Sequence, residues 1–439
     1  MNTQSTLVGL FKETYAGSIV EAWGFMAKLA KRINFVSQDL QPGNFYHQPV
    51  DVQFEQGISV AAAGATIGGS GGPVFYSATA GQMQDAQIAG SQLLGRSQVS
   101  YEAIARSANS RAAFKQATQM VVRRLSQSLV KRLEIQLLHG QRGVGAIESL
   151  AAETGSSGAY FSILTLSAAT FSAGLWAGQV GAYIDLYQSD LTTVRQAANI
   201  NTGVVSGTSG WCRVSAVDQQ NRTVTLNYGT ARSGWVAGDV LFFGSALGGT
   251  SSTEMAGLDV ITRLSASSGT FQNIATGTYD LWRGNTYSTS TGVVSFGKIL
   301  EGASLAASYG LFDELTTVLS PKAFEVLNTD IAALRQYDVS YSPAKAENGS
   351  SKLVFNGQTG SIEIMPHPFQ KDGLMHQFCA SESLRVGATD LTFITRQGSE
   401  DKLILESATA AASEMRCYSN QGLLISQPRH TVLFDGITY

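Results

Sequence analysis

One segment of the sequence matches the GxSxG pattern around the nucleophile of serine hydrolases. It is Gly68-Gly69-Ser70-Gly71-Gly72. In those enzymes the serine lies on a sharp turn between a strand and a helix. Here Pro73 and a β-like segment follow, so we predict no nucleophile at Ser70. Gly64 and Gly69 have the spacing of a phosphate-binding P-loop, but Ser70 occupies the position from which a lysine must reach the phosphates. We therefore predict no nucleotide site either.

Residues that could bind metals or transfer protons are not spaced for that chemistry. The histidines have no HxH, HxxxH or HxxE arrangement, so only the fold could assemble a metal site from them; they are His47, His139, His367, His376 and His430. Asp313-Glu314 and Glu400-Asp401 are pairs of adjacent carboxylates, and adjacent side chains point in different directions on a helix or strand. The sequence therefore predicts no catalytic, metal-binding or cofactor-binding residue, and we do not expect an enzyme.

The composition is that of an apolar, lightly charged chain. Charged residues make up 14% of the 439 residues, against roughly 25% in average soluble proteins. This shortage favours a subunit whose faces are covered by neighbours. A formal net charge of -3 excludes a uniformly basic protein that coats nucleic acid. The three cysteines lie far apart without CxxC spacing, which predicts neither a disulfide framework nor a zinc site.

The first hundred residues predict a helical arm followed by a long hairpin. Apolar residues at mostly three-, four- or seven-residue spacing over 5–33 indicate one or two amphipathic helices. Polar and apolar residues then alternate from Val36 to about Ser100, on both sides of a tip rich in glycine and serine. No charged residue lies between Glu55 and Asp85. We expect the tip to act as a hinge, with five candidate hinge residues, Gly64, Gly68, Gly69, Gly71 and Gly72.

The strongest local pattern predicts a long helix. Neither glycine nor proline interrupts the segment from Arg111 to His139, and Gly140 is expected to end it. Its apolar residues recur every four positions, at Ala117, Val121, Leu125, Leu129, Leu133 and Leu137. The opposite face is basic, with four candidate contact residues, Arg123, Arg124, Lys131 and Arg132. This face is either a solvated helix surface or a surface directed at nucleic acid or a neighbouring subunit.

The rest of the chain is predicted to be mostly β-structure. Between residues 175 and 250, three short alternating segments separated by turns predict a small antiparallel β domain. A helix is predicted from about Val294 to Tyr309, followed by a strand from Glu314 to Leu319. Ser320 and Pro321 have the residue types that cap and open a helix. Strands are predicted to dominate again after residue 353.

The order of these elements resembles that of the Hong Kong 97-like major capsid proteins of tailed bacteriophages. Several stretches strengthen the resemblance: TVTLNYGTARSGWVAGDVLFFGSALGG, GLDVITRL, FQNIATGTYDLWRGNTY and LSPKAFEVL. The resemblance covers nearly the whole chain and depends on element order and local patterns, not on a catalytic signature. It implies an α+β fold with an N-terminal arm, an extended hairpin loop, a long spine helix, peripheral and axial domains, and a small β-rich insertion domain.

The resemblance also implies domain limits. Residues 1–37 would form the arm, 38–100 the extended loop, and 101–174 the peripheral domain with its spine helix. The insertion would occupy 175–250 and the axial domain 251–385, while 386–439 would complete the peripheral domain. The chain lacks lysine between Arg32 and Lys115, so the crosslink that some family members form between a lysine of the extended loop and an asparagine of another subunit is not expected here.

The resemblance implies a structural subunit of an icosahedral virion that assembles with itself into pentamers and hexamers around double-stranded DNA. A separate scaffolding protein, a portal and a decoration protein are expected partners, with non-specific contact to the packaged DNA. The first residues lack the features of a secretory signal, so we expect synthesis and assembly in the host cytoplasm. No membrane contact is expected, because polar residues interrupt the uncharged residues 154–184 too often for a membrane helix.

Three other interpretations stay open. An encapsulin-like compartment shell would share the fold and enclose protein cargo. A tail component would assemble into a tube or spike instead of a closed shell. A β-rich carbohydrate-binding protein would explain the glycine, serine and threonine content, but it would need exposed aromatic residues and converging carboxylates that the sequence does not indicate.

Overall fold

The computed structural model describes residues 27–37, 45–63, 77, 79–100, 111–156, 159–196, 212–244, 247–248, 251–329, 353–357, 360–394, 405–406 and 412–439. The helices of these residues are α1 (Leu29–Arg32), α2 (Arg111–His139), α3 (Ala173–Trp176), α4 (Leu258–Ile261), α5 (Phe296–Ser308) and α6 (Pro321–Thr329), with 3-10 helices at Asp280–Trp282 and Pro428–His430.

The strands are β1 (Asn34–Ser37), β2 (Tyr46–Gln53), β3 (Gln82–Ile88), β4 (Ser91–Ser100), β5 (Gly145–Leu150), β6 (Thr154–Ser156), β7 (Ala159–Leu166), β8 (Ile184–Tyr187), β9 (Val194–Gln196), β10 (Cys212–Asp218), β11 (Thr223–Tyr228), β12 (Val240–Phe243), β13 (Leu247–Gly248), β14 (Ser251–Ser252), β15 (Thr270–Phe271), β16 (Ile274–Ala275), β17 (Asn285–Val293), β18 (Leu315–Leu319), β19 (Leu353–Gly357), β20 (Gly360–Pro366), β21 (Leu374–Cys379), β22 (Ser383–Phe393), β23 (Leu405–Glu406), β24 (Ala412–Ile425) and β25 (Val432–Thr438). Strands outnumber helices, and the fold is a mixed α+β fold, as predicted.

A five-stranded sheet joins segments from both ends of the chain. Its order is β1-β22-β24-β23, and β4 pairs with β24 along ten residues, from Ser91 opposite Gln421 to Ser100 opposite Ala412. Strand β4 therefore belongs to this sheet, although the sequence placed residues 38–100 in one extended loop. Gly95 permits this arrangement, because a Cβ there would lie 2.7 Å from Leu129 Cδ1 of the long helix.

An eight-stranded sheet has the order β10-β11-β7-β5-β12-β8-β9, with β6 attached to β7. The strands of the predicted insertion, residues 175–250, do not form this sheet alone, because β5 and β7 from residues 145–166 lie at its centre. Alternate residues of β7 and β11 are buried, including Leu164, Leu166, Val224 and Leu226. These side chains join one core with the C-terminal half of α2, which explains why the sheet cannot be separated from the helix.

A six-stranded mixed sheet has the order β17-β25-β21-β18-β20-β19. Every residue of β18 and β21 is buried, which is typical of central strands covered on both faces. Helix α5 contributes Ile299, Ala303 and Ala306 to the core of this sheet. The last strand, β25, pairs with β17 and β21, whereas β22 and β24 belong to the five-stranded sheet. The predicted C-terminal segment 386–439 is thus divided between two sheets.

Helix α2 ends at His139, as the sequence predicts, but its burial is broader than a single stripe. Leu129, Leu133 and Leu137 are buried as predicted, and the polar residues Glu134 and Gln136 are buried beside them. The end of the helix is enclosed because residues 255–257 cross it. A Cβ on Gly140 would lie 2.2 Å from the carbonyl oxygen of Met255, so close backbone packing requires glycine there.

Serine side chains cap both α5 and α6, and the sequence predicted the cap of α6. Ser295 Oγ accepts a hydrogen bond from Lys298 N at the start of α5 (3.4 Å). Ser320 Oγ accepts one from Ala323 N at the start of α6 (3.2 Å), and Pro321 is the first helical residue. Local residue types therefore position both helices on the six-stranded sheet.

Candidate functional site

Strands β2 and β3 form a hairpin whose base is anchored on the protein body. Their antiparallel register pairs Tyr46 with Ile88 and Val50 with Gln84. Val52 and Ile88 are buried in a small core with Trp282. The base is also held by hydrogen bonds, from Gln87 N to Gln272 O (3.0 Å) and from Gln84 Nε2 to the Tyr279 hydroxyl (3.2 Å). One end of the hairpin is therefore fixed by the body.

Residues 54–63 continue β2 away from this base, and we call them the hairpin extension. Backbone hydrogen bonds between Gln56 and Thr79 (2.9 and 3.1 Å) keep it paired with the returning chain. Its apolar side chains face solvent, with exposed fractions of 73% for Phe54, 79% for Ile58 and 92% for Val60. Monomeric proteins rarely expose apolar residues so close together. The extension therefore has the character of a protein-contact surface.

The sequence-predicted hinge glycines Gly64, Gly68, Gly69, Gly71 and Gly72 lie beyond the extension and outside the described residues, as does the predicted arm up to residue 26. Near the base, His47 Nδ1 lies 2.6 Å from Asp85 Oδ2 on the solvent-facing side of the hairpin. The hydrogen bond from His47 lowers the pKa of the Asp85 carboxyl. This pair ties β2 to β3 near the base of the hairpin.

The predicted basic face of α2 is divided by the structure. Arg123 and Arg124 are exposed. Lys131 is buried, donates a hydrogen bond to Ala177 O (2.5 Å) and lies over the Phe369 ring, and burial lowers its pKa to about 8. The Arg132 guanidinium stacks 3.6 Å from the centre of the Phe243 ring, and burial lowers its pKa to about 10. Of the four residues of the predicted basic face, Arg123 and Arg124 are therefore the exposed ones.

A buried contact that the sequence did not predict involves Glu134, in the middle of α2. Its carboxylate is fully buried and accepts hydrogen bonds from Leu29 N (3.1 Å) and Ala30 N (2.8 Å), the first two residues of α1. His367 Nε2 also lies 2.9 Å from this carboxylate. The contact joins α1, α2 and the segment after β20. The position of Glu134 within a leucine-rich helical face is the sequence feature that could have indicated a buried carboxylate.

A second buried group, which we call the polar junction, lies where the end of α2 meets α4 and β21. It consists of His139, Asp259, Lys371 and His376, with Arg263 at its edge. Burial alone would raise the pKa of the Asp259 carboxyl, but the positive charges of Lys371 and Arg263 hold it well below its usual value. Burial lowers the pKa of His139 to about 4, that of His376 to about 3 and that of Lys371 to about 8. Both histidines are therefore neutral at pH 7.

Within the described ranges, no group of three or more histidine, cysteine, aspartate or glutamate side chains is placed to hold a metal ion. Likewise, no helix in the described part of the chain is both long and apolar enough to cross a membrane. The three cysteines, Cys212, Cys379 and Cys417, are buried and unpaired, as predicted.

Comparison with solved structures identifies proteins with a similar fold. No protein-family model matches the chain, and no curated protein matches it either. Among solved structures, the capsid asymmetric unit of cyanophage A-1(L) matches with a TM-score of 0.50 and 9% sequence identity, covering 94% of this chain and 93% of that one. The chain has the fold of a tailed-phage capsid protein. The resemblance drawn from the sequence is confirmed at the level of the fold.

Other capsid structures align over similar lengths with lower scores. The capsid asymmetric unit of cyanophage Pam1 has a TM-score of 0.43 and 11% identity, covering 93% of this chain and 90% of that one. The virus-like particle from Pyrococcus furiosus has a TM-score of 0.38 and 8% identity, covering 96% of this chain and 98% of that one.

Proposed function

We propose that this chain is the structural subunit of an icosahedral phage capsid, located in the virion, which assembles into pentamers and hexamers around double-stranded DNA. The observation that carries the proposal is the likeness to a phage capsid protein over more than nine-tenths of both chains. The exposed apolar residues of the hairpin extension support it. In this proposal the chain acts mechanically and performs no catalysis.

The proposed domains correspond to the three large sheets. Residues 1–37 act as the arm, and the hairpin with its glycine-rich tip acts as the extended loop. The five-stranded sheet with α2 forms the peripheral domain, and the six-stranded sheet with α5 and α6 forms the axial domain. The strands within 175–250 form the insertion, which is built on the peripheral part through β5 and β7. The glycines of the tip, Gly64 to Gly72, would let the loop refit when the particle changes size.

The hairpin extension supplies the proposed contact with a neighbouring subunit. Burial of Phe54, Ile58 and Val60 would contribute ~1.5 to 3 kcal/mol for each side chain, part of which is offset by ordering of the interface. A single contact of this size is weak. Closed symmetric assembly repeats it in every subunit, so that the sum stabilises the shell.

The proposed partners other than the chain itself are a scaffolding protein, a portal, a decoration protein and the packaged DNA. We assign the non-specific DNA contact to Arg123 and Arg124, because Lys131 and Arg132 pack against Phe369 and Phe243 inside the subunit. Contacts of arginine with phosphate weaken as salt rises. The double variant Arg123→Gln/Arg124→Gln should therefore reduce the salt-sensitive part of DNA retention without preventing shell formation.

The test compares two triple variants of the full chain by electron microscopy and sedimentation, each produced with and without scaffolding protein. In the first, Phe54, Ile58 and Val60 are replaced by serine. In the control, Ile163, Val180 and Val236 are replaced by serine; they are 47%, 65% and 49% exposed elsewhere on the surface. We expect closed shells or capsomer rings from the unaltered chain and the control, and folded, unassembled subunits from the first variant.

Each outcome bears on a separate part of the proposal. A stable monomer of the unaltered chain under all conditions would contradict the capsid function. Normal shells from the first variant would contradict the role of the extension alone. Shells that contain protein cargo and no DNA would indicate a compartment shell with the same fold.

A further inference from the structure

Two pairs of polar atoms in the polar junction lie too far apart for direct hydrogen bonds. Asp259 Oδ1 accepts a hydrogen bond from Arg263 Nε (2.7 Å). Asp259 Oδ2 lies 3.8 Å from His139 Nδ1 and 3.8 Å from Lys371 Nζ. Hydrogen bonds between nitrogen and oxygen normally span 2.7 to 3.2 Å. Since all three side chains are almost completely buried, bulk solvent does not fill these gaps.

The proton of His139 can be assigned from its other contact. His139 Nε2 lies 3.2 Å from the carbonyl oxygen of Phe369, which can only accept, so Nε2 carries the hydrogen. In the neutral ring Nδ1 is then an acceptor, and it has no hydrogen-bond partner among the described residues. It faces Asp259 Oδ2, a second acceptor. Two acceptors facing each other require a donor between them.

His376 lies next to this pair of acceptors and lacks hydrogen-bond partners of its own among the described residues. It is completely buried on β21, and neither of its ring nitrogens has a hydrogen-bond partner within the described part of the protein. Its ring centre lies 6.2 Å from that of His139. A neutral imidazole offers one donor and one acceptor. The junction therefore presents two acceptors, on Asp259 and His139, and two donors, on Lys371 and His376.

We propose that Asp259, His139, Lys371 and His376 enclose a bound water molecule that joins the end of α2 to α4 and the six-stranded sheet. The water donates its hydrogens to Asp259 Oδ2 and His139 Nδ1. It accepts from the Lys371 ammonium and the His376 ring. Buried waters in proteins typically make about three hydrogen bonds to polar groups that lack other partners, and a polar pair separated by more than about 3.5 Å is the usual setting for a bridging water. This site does not depend on shell assembly.

The direct test is a high-resolution map of the unaltered full chain, as assembled shell or isolated subunit. The expected result is a density peak within hydrogen-bonding distance of both Asp259 Oδ2 and His139 Nδ1. A map that resolves other internal waters but shows no peak there would overturn the proposal.

A substitution gives an independent test through the sign of its effect. His376→Phe keeps a ring but removes both nitrogens. If the water is bound, the variant deprives it of a partner, and the urea midpoint of unfolding falls. If the junction is dry, the variant removes two unsatisfied buried nitrogens, and the midpoint rises.

His367→Phe is the matched control for this substitution. Both ring nitrogens of His367 have protein partners, at Glu134 and at the Phe369 N–H, so its midpoint must fall in either case. A rise for His376→Phe against a fall for His367→Phe would refute the water site. If His376→Phe yields no folded protein, the map of the unaltered chain decides the question alone.

Discussion

Removal of the Glu134 carboxylate should be among the most damaging single changes in the protein. Glu134 is fully buried, and its two oxygens accept from Leu29 N, Ala30 N and His367 Nε2 at 2.8 to 3.1 Å. The Phe369 N–H donates to His367 Nδ1, so His367 must carry its hydrogen on Nε2 and donate it to Glu134. Glu134→Ala therefore leaves three donors without an acceptor and opens a cavity beside α1.

The expected cost follows from the nature of the contact. Breaking a buried charged hydrogen-bonded group by removing one partner typically costs ~3 to 5 kcal/mol, a large part of the ~5 to 15 kcal/mol that stabilises a domain. Glu134→Gln keeps the shape but offers one oxygen where two accepted. Its NH2 group must face at least one of the donors, so we expect an intermediate loss of ~1 to 3 kcal/mol.

Urea unfolding of the isolated subunit measures both losses, with Glu148→Ala as the control. Glu148 is 53% exposed, and its Oε2 lies 3.2 Å from Arg222 Nη1; such a surface pair contributes only ~0 to 1 kcal/mol. Limited trypsin digestion should also show faster cleavage after Lys31 in Glu134→Ala, because α1 loses its hydrogen-bond acceptor. If Glu134→Ala is no less stable than Glu148→Ala, the contact does not hold α1 to α2, and the reasoning fails.

Two further predictions concern pH and packing. Because the folded-state pKa values of His139 and His376, about 4 and about 3, lie below the ordinary value of 6.5, the unfolded chain takes up protons first as the pH falls. Their contribution is complete above pH 6.5 and decreases by ~2 kcal/mol per histidine by pH 5; urea titrations at pH 7 and pH 5 measure it, and unchanged stability would contradict buried neutral histidines. His430, whose pKa is raised by Glu382 against the effect of burial, opposes this trend in part. Gly95→Ala should cost ~1 to 3 kcal/mol through overpacking against Leu129, whereas Gly297→Ala, with no atom nearer than 3.8 Å to the new Cβ, should leave stability unchanged or raise it by ~0.4 to 1 kcal/mol; equal urea midpoints for the two variants would contradict the packing of α2 on β4.

Local features of the fold were predictable wherever neighbouring residues decide the conformation. Gly140 marked the end of α2 after His139, and the four-residue spacing of the apolar residues marked its helical character. Ser320 and Pro321 gave the start of α6, and alternation gave the hairpin strands β2 and β3. The hydrogen bonds of a helix connect residues a few positions apart, and the alternation of a strand reflects the face that each successive residue occupies, so both patterns lie in a short window of sequence.

Membership in sheets was less predictable, because pairing joins distant segments. The sequence placed 91–100 with the extended loop, yet β4 pairs with β24 more than 300 residues later. It also grouped 386–439 together, whereas β25 pairs with β17 and β21. The alternation of a strand shows which face is buried and does not show which partner covers its edge.

What the sequence by itself determined is the order of the elements, the C-terminal end of the long helix and the absence of charge between Glu55 and Asp85. Only the tertiary structure decided which polar residues are enclosed. The sequence placed Lys131 and Arg132 on one basic face with Arg123 and Arg124. In the structure Lys131 packs on Phe369 and Arg132 packs on Phe243. His139 and His376 are separated by more than 200 residues and meet because α2 and β21 enclose the same space. Burial and hydrogen-bond partners depend on groups brought together by folding, and residue spacing along the chain does not contain that information.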